Sequence, residues 1–318
     1  MRPRSESLRV TLCFLAVYLI WGSTYLGIRY AIETLPPLIM AGVRYLLAGA
    51  IVFAWGLRSG TSPTVHNWRE AALLGGLFFL GGNGAVVWAE QRIPSGIASL
   101  LIATMPLWVV LLDWLRPGGS RPHPLVGVGV ALGFGGLLLL VSANGADSTR
   151  IDTAGAVVLV AGALSWAIGS LHARRADLPR SLPLASGMEM IAGGMLLVLG
   201  GLVGGELGGV RLEAISARSV LAFGYLVIFG SIVAFSAFTY LIEAAPPSRV
   251  STYAYVNPVV AVVLGWLLAG EVVTARTVTG AAVIVGAVAM VTAGASGRTA
   301  RGSTPAPVAE LAEEPPPS

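Results

Sequence analysis

The sequence contains no lysine, so all 20 of its basic residues are arginine. The phosphate-binding P-loop needs a Gly-Lys pair, and a nucleotide-driven motor of that kind is therefore not built into this chain. A single cysteine, Cys13, excludes an internal disulfide and a multi-cysteine metal centre. The three histidines, His66, His123 and His172, fall near expected loops with no second ligand at helical spacing, and none reads as a metal ligand. There is no HExxH, no DDxxD and no close Asp/His group, which makes a membrane-embedded enzyme the least supported class. No cofactor is implied. Charge is scarce: 11% of the 318 residues are charged, against about 25% in a soluble domain. The net charge of +4 asks for no nucleic-acid partner, because arginines flanking membrane spans account for it.

What the chain has in quantity is apolar surface and glycine. Hydrophobic residues make up 55% and glycine contributes 41 positions, as helix-packing surfaces in a bilayer require. A transmembrane helix needs about 20 mostly apolar residues. Ten such runs are present, at about 10–28, 37–57, 70–89, 94–115, 124–141, 153–171, 184–204, 218–241, 249–269 and 276–294. The expectation is an all-α integral membrane protein of ten transmembrane helices, with the lipid bilayer as its solvent. The first run follows Arg2, Arg4 and Arg9 without a convincing cleavage site, and reads as an uncleaved anchor. The proline-rich residues 295–318 read as a disordered tail. With residues 1–9 in the cytoplasm, thirteen arginines fall on the inner side (2, 4, 9, 58, 69, 116, 121, 174, 175, 180, 249, 298 and 301) and six on the outer side (29, 92, 150, 211, 218 and 276). That bias predicts cytoplasmic N- and C-termini.

The chain also repeats itself. Trp21, Arg29 and Gly49 precede Trp166, Arg174 and Gly194 by 145 residues, and Pro94, Ser99, Pro106 and Trp114 precede Pro246, Ser251, Pro258 and Trp266 by 152. Gly127 and Gly133 match Gly280 and Gly286 one residue later. The boundaries implied are a first repeat at 10–141, a connecting loop at 142–152 and a second repeat at 153–294. Five spans is an odd number, so the second copy enters the bilayer from the other side. The expectation is two inverted five-helix repeats, a recurring plan of secondary transporters with the binding site near the midplane.

Several stretches resemble a known family. WGSTYLGIRYAIETLPPLIMAGVRYLLAG (21–49), GNGAVVWAEQRIPSGIASLLIATMPL (82–107), GMEMIAGG (187–194), YLVIFGSIVAFSAFTYLI (225–242) and STYAYVNPVVAVVLG (251–265) are similar, in order and spacing, to the EamA family of the drug/metabolite transporter superfamily, and most to its YedA-type inner-membrane exporters. The resemblance covers about residues 10–294. It implies a multi-pass protein of the bacterial inner membrane that exports small metabolites, often amino-acid-like, or drugs. The alternatives are an uptake carrier of the same fold and a carrier of phosphorylated sugars or lipids.

The candidate substrate path is read from polar and aromatic residues inside the runs. Arg44 lies about eight residues into the second run, where an arginine costs at least about 2.5–3.5 kcal/mol unless it meets a partner or a cavity; it is read as holding a substrate carboxylate. Glu189, 145 residues later, is read as meeting a proton, the candidate coupling ion, or an amine. Trp21, Thr24 and Tyr25 share one helical face, and Trp166 takes the matching place in the second repeat. Ser251, Tyr255 and Pro258 form a stripe on the ninth helix, bordered by Asn257, and Ser99 and Pro106 form its counterpart on the fourth. Both prolines are read as lying in helix interiors, where each frees a carbonyl. Trp266 is expected off the path. Glu90 and Glu271 are read as exposed interfacial carboxylates, and Asp113 as a neighbour of Arg116. Glycines 200, 201, 204 and 205 offer close helix contact within the fold or in a homodimer.

Overall fold

A backbone in hydrocarbon must satisfy its polar groups internally, and apolar runs of this length can do so only as helices or closed barrels. The computed structural model describes residues 4–117, 123–141, 151–250 and 252–301, and among these residues all regular structure is helical. Among the described residues nine helices are long and apolar enough to cross a membrane: α1 (Ser7–Ala31), α2 (Pro37–Ser59), α3 (Val65–Ala89), α4 (Ser95–Leu115), α5 (Pro124–Val141), α6 (Thr153–Ala173), α7 (Leu182–Val203), α8 (Ala217–Ile242) and α10, whose apolar part is Ala275–Ala293. The remaining apolar helix, α9 (Tyr253–Ala269), has 17 residues.

Two expected boundaries move. The ninth run does not begin a helix at 249: Pro247–Val250 is a separate short helix, and α9 starts at Tyr253. Thr252 closes the break by turning both its N–H and its hydroxyl onto the carbonyl of Arg249. The last helix continues to Arg301, past the residue 295 at which the tail was expected to begin. Residues 302–318, and 142–150 of the expected connecting loop, lie outside the described residues.

The fourth span is interrupted in the same manner. It consists of Ser95–Ile102 and Met105–Leu115, and Thr104 places its N–H and hydroxyl on the carbonyl of Leu101. Pro106 therefore stands in the first turn of a new helix, where proline costs little because its missing N–H had no intrahelical partner. This corrects the expectation of an interior proline. Pro258 does lie inside α9.

Glycine decides how closely the helices approach. A Cβ on Gly42 would lie 2.6 Å from Val198, so α2 and α7 touch backbone to side chain. Along that seam Gly42 meets Val198, Gly49 meets Ile191 and Gly56 meets Leu184. One number rises as the other falls, so the two helices run antiparallel. From the other side Gly187 meets Phe53, Gly194 meets Leu46 and Gly201 meets Ile39. Shifting one partner of the first set forward by 145 and the other back by 145 produces the second set. Helices α5 and α10 form a similar seam, with Gly129 on Val291, Gly133 on Ala287, Gly136 on Ile284 and Gly280 on Leu140. Three spans contain wide π-helical turns, at Val17–Trp21, Gly76–Asn83 and Leu226–Val233. Such turns redirect side chains and recur at functional sites.

Candidate functional site

The π turn of α1 ends at Trp21, whose indole N–H donates to the carbonyl of Gly230, inside the π turn of α8, at 3.2 Å. The Trp21 ring packs against Phe238 and, edge-on, against Tyr253 at the start of α9. Thr24 donates its hydroxyl to the carbonyl of Trp21 at 2.6 Å. A Cβ on Gly230 would lie 3.0 Å from the Thr24 methyl and 3.1 Å from Arg44 Nη2. The glycine thus admits α1 and α2 to the same patch of α8.

Arg44 is buried there, 4% exposed. Its Nε donates to Ser231 Oγ at 2.8 Å, and its guanidinium carbon stands 4.8 Å from the centre of the Tyr45 ring. Among the described residues no acceptor reaches Nη1 or Nη2 and no carboxylate pairs with the group. One hydroxyl and one ring face are weak compensation for a buried cation. Tyr45 donates its hydroxyl to Asn83 Oδ1 at 2.7 Å, and Asn83 donates in turn to the carbonyl of Phe78 within the π turn of α3. Tyr25 is in electrostatic reach of Tyr45 and Tyr253. The structure therefore brings Trp21, Thr24, Tyr25 and Arg44 together, and adds Tyr45, Asn83, Gly230, Ser231 and Tyr253.

Other expected residues lie elsewhere. Trp166 packs on Phe78 and over Gly82 in the seam between α3 and α6. Glu189 is half-buried, and no charged group or hydrogen-bond donor meets its carboxylate among the described residues. It does not face Arg44: the α2–α7 register sets Arg44 level with Leu196, seven residues and roughly 10 Å along the axis from Glu189. Ser99 is buried and donates to the carbonyl of Gly96. Tyr255 is half-buried, and Pro258 is buried. Asn257 is buried, its Oδ1 has no partner among the described residues, and its carbonyl abuts Gly22 of α1. Ser251 lies outside the described residues. Trp266 is 57% exposed on the outside of the bundle. Helices α4 and α9 meet directly, with a Cβ on Gly96 placed 3.0 Å from Val262, so no cavity separates them at that level.

Glu90 and Glu271 differ from their expected exposure. Glu90 is fully buried, and among the described residues neither of its carboxylate oxygens has a hydrogen-bond partner. Glu271 follows Gly270, whose left-handed φ of 64° turns the chain back over the end of α9. Its carboxylate then accepts from the Ser95 N–H, the Ser95 hydroxyl and the Gly96 N–H, capping the first turn of α4. Asp113 and Arg116 pair at 2.7 Å, as their spacing predicts. Ser231 and Asn83 were findable as lone polar residues inside apolar runs. The burial of Glu90 carries no such signal, because an acid at the end of a run is usually solvated.

A groove of about 610 Å³ is separate from this cluster. It opens sideways between α1, α8 and α9, beside Leu26, Tyr30, Arg218 and Tyr225, and its walls are mostly apolar.

Comparison with known proteins agrees with this architecture. A model of the EamA-like transporter family matches residues 8–142 and again 153–293. The chain is 42% identical over 282 residues to the uncharacterized inner membrane transporter YedA of Escherichia coli (strain K12), covering 88% of this chain and 89% of that one. It is 26% identical over 277 residues to Protein PecM of Dickeya dadantii (strain 3937), covering 86% and 88%. A solved crystal structure superposes with a TM-score of 0.61 at 22% identity, over 91% of this chain and 98% of the other, which speaks for the fold alone. The chain is a multi-pass membrane protein and belongs to the EamA-like transporter family.

Proposed function

We propose that the protein is a secondary transporter of ten membrane-crossing helices, exporting small amino-acid-like metabolites or drugs across the bacterial inner membrane by alternating access. The two halves, 10–141 and 153–294, are inverted copies. The exchange symmetry of the α2–α7 contacts supports this, as do the paired π turns of α3 and α8 and the two separate matches to one family model. Both termini lie in the cytoplasm, on the strength of the arginine bias.

The observation that carries the reading is Arg44: a buried guanidinium inside a span, held through Nε, with Nη1 and Nη2 unclaimed by any of the described residues. A fork of free N–H donors is suited to a carboxylate. The aromatic wall of Trp21, Tyr25, Tyr45 and Tyr253 suits the apolar part of a small amphipathic solute. A phosphate-ester carrier would want further deep cations, whereas Arg29 is engaged with Glu271 near a helix end. Substrate reaches Arg44 along α9 past Tyr255 and Asn257, whose Oδ1 is unpaired.

The test is flux in proteoliposomes with a panel of amino acids and cationic drugs, with and without a pH gradient. Movement that requires the protein and is lost in Arg44→Ala supports the reading. No protein-dependent movement of any solute overturns it.

A further inference from the structure

The loop end that carries the α1–α2 and α3–α4 turns is tied across the two halves. Glu33 pairs with Arg218, and Glu206 accepts from the N–H groups of Leu38 and Ile39 at the start of α2. Glu271 caps α4 and stands 3.8 Å from Arg29 Nε, while Arg29 Nη1 donates to the backbone carbonyl of Glu90 at 3.2 Å. Each of these three carboxylates has a partner at this end. Glu90, one residue beyond α3, is fully buried, and among the described residues neither of its carboxylate oxygens has a hydrogen-bond partner.

A carboxylate sealed from water without a donor is costly by several kcal/mol, and the group neutralises instead. Burial favours its protonated form, Glu271 acts in the same direction and Arg29 opposes. The groups facing Glu90 are few. Helix α1 offers Tyr25 and Arg29, and the turn after α9 offers Glu271. Helix α2 offers Arg44 and Tyr45 only at a deeper level. Helix α6 has no ionisable side chain before His172, which pairs with Glu70 at the far end. Asp152 is occupied capping α6, and Arg92 lies over the Trp88 ring.

We propose that Glu90 is the proton-binding residue of this transporter, holding a proton while this end is closed and releasing it to water when the Arg29–Glu271 tie opens. The inference rests on the transport reading above. Tyr25 is in electrostatic reach of Glu90, Tyr45 and Tyr253. Geometry favours a proton over a substrate amine. Asn83, bonded to Tyr45 beside Arg44, precedes Glu90 by seven residues, which sets Glu90 roughly 10 Å nearer the loop. That exceeds the separation of the ammonium and carboxylate within one α-amino acid.

The test has two arms. Infrared spectra of the full chain in liposomes at neutral pH are expected to show a carboxylic-acid C=O band that is absent in Glu90→Gln, shifted in Glu90→Asp and retained in Glu189→Gln. A band that survives Glu90→Gln, or no such band in the unmodified protein, overturns the proposal. With a radiolabelled amino-acid mixture as probe, the ratio of pH-driven accumulation to exchange at equal pH is expected to fall roughly tenfold in Glu90→Gln. An unchanged ratio overturns the coupling role. If no amino acid moves at all, the transport reading fails, and the infrared band still decides whether Glu90 carries the proton.

Discussion

Arg44 of α2 and Ser231 of α8 are joined by a single 2.8 Å hydrogen bond across 187 residues of chain. The bond fixes the guanidinium by Nε and leaves its outer edge free. Arg44→Ala is expected to abolish transport while the protein still folds in detergent, because a cavity replaces a cation that no carboxylate compensates. Arg44→Lys is expected to restore little, since an ammonium lacks the planar fork. Ser231→Ala removes one charge-assisted bond worth about 1.5–3 kcal/mol, so apparent substrate affinity should weaken by roughly tenfold or more. Flux assays and size-exclusion profiles measure both; failure of Arg44→Ala to fold would make Arg44 structural.

The α2–α7 seam predicts paired effects. A Cβ on Gly42 would lie 2.6 Å from Val198, and one on Gly187 would lie 2.5 Å from the Phe53 backbone. Gly42→Ala and Gly187→Ala should each destabilise by about 1–3 kcal/mol. Gly127→Ala and Gly286→Ala, which meet open space, should change stability by less than about 0.5 kcal/mol. Thermal unfolding in detergent is the measurement. A large effect at only one of the first two would break the symmetry argument.

The cap on α4 should be separable from its charge. Glu271→Ala removes three accepted hydrogen bonds and should cost about 1–2 kcal/mol. Glu271→Gln keeps one acceptor and should cost less. Hydrogen exchange at the Ser95 and Gly96 amides reports the loss directly, and unaltered protection in Glu271→Ala would refute the cap.

Residues along α9 should differ in access. In a chain with Cys13→Ser, cysteine at Tyr255 or Asn257 is expected to react with a water-soluble thiol reagent and to be protected by transported solute. Cysteine at Val262, deeper on the same stripe, should react more slowly, and at Trp266, on the outer face, not at all. Inert positions 255 and 257 together with normal transport by Asn257→Ala would reduce the Asn-Pro pair to a bend.

A reporter fused after Ser318 should read as cytoplasmic. An exported signal would invert the orientation.

Composition alone sets the chemistry of the solvent, and the spacing of charges sets the number of apolar runs. Low charge and runs of about 20 apolar residues leave helices as the form such a backbone takes, and the 145- and 152-residue offsets, on which the proposed repeat rests, are legible without any coordinates. The sequence also singled out Trp21, Thr24, Tyr25 and Arg44, because polar or aromatic side chains are conspicuous inside apolar segments. Which of them meet depends on how helices distant in the chain pack together. Trp166 answers Trp21 by register yet packs on Phe78, because partners across helices depend on crossing geometry rather than on spacing along one chain. Pro106 became a helix start and Pro258 stayed interior, because Thr104 closed the fourth span early while Thr252 did so before α9 began. Glu90 and Glu271 look alike at the ends of runs. One is sealed bare and the other caps a helix, because burial and hydrogen bonding of a span's end are set by the loops that other helices fold over it.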